Sequence, residues 1–159
     1  MDLVIVEDSE LVQTQLLRLV SLRGGIDVVG IAASEDAAVS LIASSHPDAV
    51  LLDLALAPGS GIRVLERIRN AGCAARVLVL TNTTADVLRQ ACEALGISGF
   101  YDKSRDVPAC MDQLFGWLAP SPLDGAPQSA SFGKPEAESD RSTNKLPLPS
   151  GGRLQAALP

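Results

Sequence analysis

Apolar and polar residues alternate along this chain in blocks rather than residue by residue. "DLVIV" (Asp2 to Val6) is a short β-branched run that stops at Glu7 and Asp8. "SELVQTQLLRLVSLR" then follows, with Ser9 in an N-cap position and Leu11, Leu16 and Val20 at helical spacing, joined by Val12 and Leu19. Gly24 and Gly25 close that helix. The alternation repeats four more times: "IDVVGIA" before "SEDAAVSLIASS" with Ser34 as cap, "AVLLD" before "GIRVLERIRNAG", "ARVLVLT" before "ADVLRQACEALG", and "ISGFYDK" before "DVPACMDQLFGWLA". Gly72 and Gly96 mark helix ends, and Pro108 falls in the first turn of the last helix.

Runs of Val, Ile and Leu that do not alternate with polar residues suit a parallel sheet covered on both faces. Five such strands interleaved with five helices predict a doubly wound α/β domain. The flavodoxin-like order 2-1-3-4-5 is the leading arrangement at this length. The predicted domain covers residues 1–119. From Pro120 onward the composition shifts: seven of the ten prolines lie there, among Ser, Gly and Ala, with four acids against four bases. No periodic apolar face survives, so residues 120–159 read as a disordered tail or linker, and "LPLP" (Leu146 to Pro149) as a bare Pro-rich stretch.

Composition narrows the class further. Apolar residues make up 47% of the chain and aromatics 3%, so the core is expected to be aliphatic. A net charge of −6 disfavours direct nucleic-acid binding. Cys73, Cys92 and Cys110 lack metal or disulfide spacing and read as reduced, half-buried thiols. Met1 leads directly into a strand, with no secretory pattern and no apolar run long enough to span a membrane, so a cytoplasmic location is expected.

The chemistry is expected at the carboxyl ends of the strands. Glu7 and Asp8 follow the first strand, Asp53 ends the third, Thr81 the fourth, and Lys103 the fifth. Each has an ordinary role taken singly, as a first-turn acid, a strand-end cap or a solvated charge. Together they form a pattern. The first and third strands are neighbours in the predicted order, so three carboxylates converge. Two carboxylates ~5 Å apart repel by roughly 3 kcal/mol at an effective dielectric of ~20, so a cation is needed. Hard oxygen ligands open to water suit magnesium. In such a pocket Asp53 is the natural nucleophile, forming an aspartyl phosphate, with Lys103 and the Thr81 hydroxyl as donors to the phosphoryl oxygens.

"VIVEDS", "AVLLDLALAPGSG", "VLVLT" and "GISGFYDKS" together resemble the receiver domain of bacterial two-component response regulators, over Met1 to about Ala119. The resemblance implies phosphoryl transfer to Asp53 from a sensor histidine kinase or a histidine phosphotransfer protein. It implies magnesium held by Asp8, Asp53 and the carbonyl of Ala55, with Glu7 in support. It assigns Lys103 to the phosphoryl group, and Thr81 with Phe100 to a switch that reports phosphorylation to the face of helix four, strand five and helix five. A downstream protein is expected to read that face, without direct nucleic-acid or membrane contact. "GISGFYDKS" is closest to receivers that usually carry a helix-turn-helix output domain.

Four positions depart from the family pattern: Glu7 where Asp is commoner, Pro58 one residue later than usual, Asn82 after Thr81, and Ser104 after Lys103 where Pro is usual. No output domain is recognisable after the receiver, which points to a stand-alone receiver acting through protein contacts. The alternative is the receiver part of a transcription regulator that has lost its DNA-binding domain; a flavodoxin-like enzyme or a receiver that works without phosphate is a third class. His46 reads as a surface loop residue at the far end of the third strand, and Phe115 and Trp117 as core packing on the last helix.

Overall fold

The computed structural model describes residues 1–118. The boundary near residue 119, the tail 120–159 and the "LPLP" segment lie outside the described residues. The elements are β1 (Asp2–Val6), α1 (Glu10–Ser21), β2 (Asp27–Ala32), α2 (Glu35–Ser45), β3 (Ala49–Leu52), α3 (Gly61–Asn70), β4 (Arg76–Thr81), α4 (Asp86–Ala94), β5 (Gly99–Asp102) and α5 (Val107–Gly116). All strand pairs are parallel and the sheet order is β2-β1-β3-β4-β5, as the pattern predicts.

The unalternating strands are explained by two apolar layers. Successive strand residues point to opposite faces, so Val4, Val6, Val50, Leu52, Val77 and Val79 enter one core with Ile42, Val64, Leu65, Ile68, Cys92 and Phe100. Leu3, Ile5, Ala49, Leu51, Leu78 and Leu80 enter the other, with Leu16, Val20, Cys110, Met111 and Leu114. Thus α2, α3 and α4 cover one face, and α1 and α5 the other. Both faces are covered, so β3 is buried throughout, as are β1 from Leu3 and β4 from Val77, while the edge strand β2 keeps exposed positions.

Three local expectations are corrected. Leu11 is 69% exposed and does not join the α1 face. It lies five residues before Leu16, about 140° round a helix of 3.6 residues per turn, so the stripe through Val12, Leu16, Leu19 and Val20 passes it by. Ser9 and Ser34 occupy N-cap positions with extended backbones, but neither side chain makes a capping hydrogen bond. Helix α1 ends at Ser21, before Arg23, whereas α3 is closed by Gly72 as expected, at φ +76° with its N–H on the Arg69 carbonyl.

Other expectations hold. Gly96 adopts φ +74° and its N–H donates to the Glu93 carbonyl, closing α4. His46 is exposed at the C-cap of α2, at the amino end of β3. Phe115 and Trp117 are half-buried against the second core, with Arg23 and Arg76 over their rings at 4.9 and 4.2 Å. The cysteines are free, and Cys73 is half-buried as expected, whereas Cys92 and Cys110 are fully buried in the two cores. Burial pushes the Cys110 thiol up to about 12. No helix among the described residues is long and apolar enough to cross a membrane.

Candidate functional site

The strands are parallel, so their carboxyl ends share one edge of the sheet, and polar residues that follow β1, β3 and β5 meet there. Because β1 and β3 pair with Val6 opposite Leu52, the next residues, Glu7 and Asp53, emerge side by side. The Asp53 N–H donates to the Val6 carbonyl at 2.9 Å, and the Glu7 N–H to the Ala32 carbonyl at 2.9 Å, so both backbones continue the sheet. Thr81 faces Asp102 across β4 and β5, and the Lys103 N–H donates to the Thr81 carbonyl at 3.1 Å. That bond fixes where the lysine side chain begins.

Carboxylate oxygens of Glu7, Asp8 and Asp53 lie within 4.8 Å of one another. Glu7 and Asp53 are buried and Asp8 is half-buried. Lys103 Nζ reaches between two of them, 2.5 Å from Glu7 Oε2 and 2.6 Å from Asp53 Oδ2. The remaining oxygens are occupied mostly by backbone donors: Ser9 N–H on Glu7 Oε1, Ala55 N–H on Asp53 Oδ1 and Ala57 N–H on Asp8 Oδ2, each at 3.2 Å. Thr81 is fully buried and its Oγ1 accepts the Thr83 N–H at 3.2 Å. Asn82 beside it is exposed.

Two features of the site were not anticipated. Lys103 bridges Glu7 to Asp53, residues far apart in sequence that only the β1-β3 neighbourhood brings together. Gly61 is the second. A Cβ there would sit 2.0 Å from the Asp53 carbonyl oxygen, so only glycine lets α3 start this close to the end of β3. The glycine after a Pro/Gly loop was its signal in the sequence.

The departures also find places. The cis peptide among the described residues is Ala57–Pro58, not Lys103–Ser104. Ser104 donates its N–H and its hydroxyl to Asp102 Oδ1 at 2.8 and 2.5 Å. Those bonds, led by the hydroxyl and helped by Arg105, hold the Asp102 carboxyl below the usual carboxylate range. Phe100 is 8% exposed, seated in the first core, with the Arg89 guanidinium 4.4 Å over its ring.

The donor set can be tested against a divalent ion. It consists of carboxylate oxygens only, clustered closely enough to share one cation, and Asp8 carries no ammonium partner among the described residues. Such oxygen-only sets suit magnesium. The residues fit.

Residues 3–114 match the response regulator receiver domain family. The chain belongs to this family. It is 31% identical over 99 residues to the DNA-binding transcriptional activator DevR/DosR of Mycobacterium tuberculosis, covering 62% of this chain and 46% of that one. It is 28% identical over 88 residues to the nitrate/nitrite response regulator NarL of Escherichia coli strain K12, covering 54% of this chain and 41% of that one. The chain therefore spans less than half the length of these two relatives. Among solved structures it is similar to a NarL signal receiver domain from Mycobacterium tuberculosis, with a TM-score of 0.67 and 26% identity, covering 74% of this chain and 94% of that one. The receiver is a signalling module of two-component systems, built on a flavodoxin-like sheet.

Proposed function

We propose that this receiver accepts a phosphoryl group on an oxygen of Asp53 from a phosphohistidine of a sensor histidine kinase or histidine phosphotransfer protein. The P–N bond of the donor breaks as the P–O bond to Asp53 forms, and the departing imidazole keeps the electron pair and takes up a proton. The observation that carries this reading is the Lys103 ammonium 2.6 Å from Asp53 Oδ2, inside a cluster of three carboxylates at the strand mouth. An ammonium so placed can follow the charge from the carboxylate to the phosphoryl oxygens.

Asp8, Asp53, Glu7 and the carbonyl of Ala55 would hold magnesium, which when bound neutralises charge on the carboxylates and the phosphoryl group. Glu7 orients Lys103, and its own second oxygen is fixed by Ser9. Thr81 and Phe100 serve as the switch, and the face formed by α4, β5 and α5 meets a downstream protein. The module has no turnover chemistry of its own beyond magnesium-dependent self-phosphorylation from small donors and self-dephosphorylation. It acts in the cytoplasm, and its folded unit ends near residue 119.

Incubation with acetyl phosphate and magnesium, followed by intact mass and peptide mapping, tests the assignment. One phosphoryl group on Asp53 is expected. Undiminished labelling of an Asp53→Asn variant would refute it.

A further inference from the structure

Glu35 takes no part in the site described above, yet it is only 8% exposed. A buried carboxylate is costly unless its charge and both oxygens are matched. It opens α2, and its two oxygens face different elements. Oε1 lies 3.2 Å from Arg67 Nη1 and 3.6 Å from Arg63 Nε, both on α3. Oε2 accepts the Ser60 N–H at 3.3 Å, while the Glu35 N–H donates to the Pro58 carbonyl at 3.4 Å.

Pro58 and Ser60 belong to the loop that leaves Asp53 and enters α3. Between them Gly59 adopts φ +112°, and a Cβ there would lie 2.4 Å from Glu35 Cβ. The loop is thus packed directly on this residue. Its other end is tied to the acids, by Ala55 N–H on Asp53 Oδ1 and Ala57 N–H on Asp8 Oδ2. The segment 55–60 therefore spans from the phosphoacceptor pocket to Glu35, held at both ends by carboxylates. A side chain that only linked α2 to α3 would need its arginine contacts alone. The second oxygen, bonded to the Ser60 N–H, and the Cβ packed against Gly59 serve the loop.

We infer that Glu35 is a positioning residue for the phosphoacceptor site: it sets the path of Pro58 to Ser60 and, through Ala57, the placement of Asp8. This rests on the proposed magnesium-dependent role of Asp8 and Asp53. Arg63 and Arg67 compensate the charge of Glu35, and exposed Asp36, 2.7 Å from Arg67 Nη1, holds the guanidinium from outside.

Three measurements test it: the magnesium Kd by calorimetry, the initial rate of labelling by acetyl phosphate, and amide hydrogen exchange of Ala57, Gly59 and Ser60 by NMR. In the parent, the Ser60 amide should be protected. Glu35→Ala should raise the magnesium Kd by about 3- to 10-fold, the range set by the one hydrogen bond to the loop that goes with the side chain. It should also speed exchange at Ala57 and Ser60 and slow labelling. Arg67→Ala removes the cross-link from the other side while leaving both loop bonds, so it should lower the melting temperature yet leave the Kd within about twofold. If both variants lose stability and neither changes Kd or loop exchange, Glu35 is a helix cross-link only and the inference is overturned. An unprotected Ser60 amide in the parent overturns it too, whether or not Glu35→Ala folds. A parent that binds no magnesium overturns the site reading first, and this inference with it.

Discussion

Asp53→Asn and Lys103→Met should move stability in opposite directions, although the two side chains are bonded to each other. At an effective dielectric of ~20, Lys103 attracts Glu7 and Asp53 by about 6–7 kcal/mol each at 2.5 and 2.6 Å. Each pair of the three carboxylates, within 4.8 Å, repels by about 3 kcal/mol or more. Neutralising Asp53 forfeits one attraction and relieves two repulsions, which nearly cancel. What remains is the desolvation of a carboxylate whose side chain is 4% exposed, a cost of several kcal/mol that the neutral amide largely avoids. Allowing for a poorer contact between the amide and Lys103, Asp53→Asn should be stabilised by about 1–3 kcal/mol without metal.

Lys103→Met keeps the side-chain volume but forfeits both attractions and leaves every repulsion. Removing one partner of a buried ion pair costs about 3–5 kcal/mol after water enters and neighbours relax. For a domain of this size, 1 kcal/mol corresponds to about 3–5 °C in Tm. Thermal and urea melts in EDTA decide the matter. Asp53→Asn should melt several degrees above the parent and Lys103→Met at least ~10 °C below it. Added magnesium should raise the Tm of the parent more than that of Asp53→Asn, because binding to the folded state alone stabilises it and one ligand is gone. If Asp53→Asn is clearly destabilised in EDTA, Asp53 is a structural cap and the crowded-acid account is wrong.

Gly61→Ala must push the Asp53 carbonyl aside, since its Cβ would approach to 2.0 Å; a loss of at least about 2 kcal/mol in urea melts is expected, together with loss of labelling. Of the three thiols, only half-buried Cys73 should react promptly with a disulfide reagent at pH 8, and all three after denaturation. With Cys110 raised to about 12 from an ordinary value of 9.0, the unfolded chain gives up that proton first. Stability should therefore fall as pH rises through that window, as read from urea midpoints. A chain ending near Pro122 should keep the urea midpoint of the full chain if the folded unit ends near residue 119; aggregation or a loss of several kcal/mol would move that boundary.

The architecture was legible because the inner strands had to be dry on both faces, and a chain that switches between Val/Ile/Leu runs and helical periods has few ways to satisfy that. The site was legible for a related reason: Glu7, Asp8, Asp53, Thr81 and Lys103 are the places where dry runs stop. Pairings were harder to read. Nothing local to Lys103 shows that it takes Glu7 as well as Asp53, because the contact depends on β1 lying beside β3. Glu35 looks like any first-turn acid, and its burial comes from Gly59 and Ser60, twenty-four and twenty-five residues further on. Ser9 and Ser34 mark helix starts without capping them, since position and hydrogen bond are separate properties. Leu11 is apolar yet lies off the buried stripe.

The charge gathered at the carboxyl end of the sheet bears on what the site needs in order to work. At the amino end, a cavity of about 880 Å³ is lined by Ile42, Ile68, Pro47 and several alanines, with one acid, Asp48, and one base, Arg76, in its lining. At the carboxyl end, three carboxylates face one ammonium, leaving two negative charges in excess. A phosphoryl donor brings further negative charge to that end. At ~5 Å and an effective dielectric of ~20, each added charge meets roughly 3 kcal/mol of repulsion from each uncompensated acid, or about two orders of magnitude in rate. The excess matches the charge of one divalent ion. Labelling of Asp53 by acetyl phosphate should therefore fall by at least about 100-fold in EDTA, and sodium or potassium at matched ionic strength should not restore it. General screening acts over about 8–10 Å and leaves closer, partly buried charges largely unscreened, so recovery with a monovalent salt would show that local charge excess is not what limits the reaction.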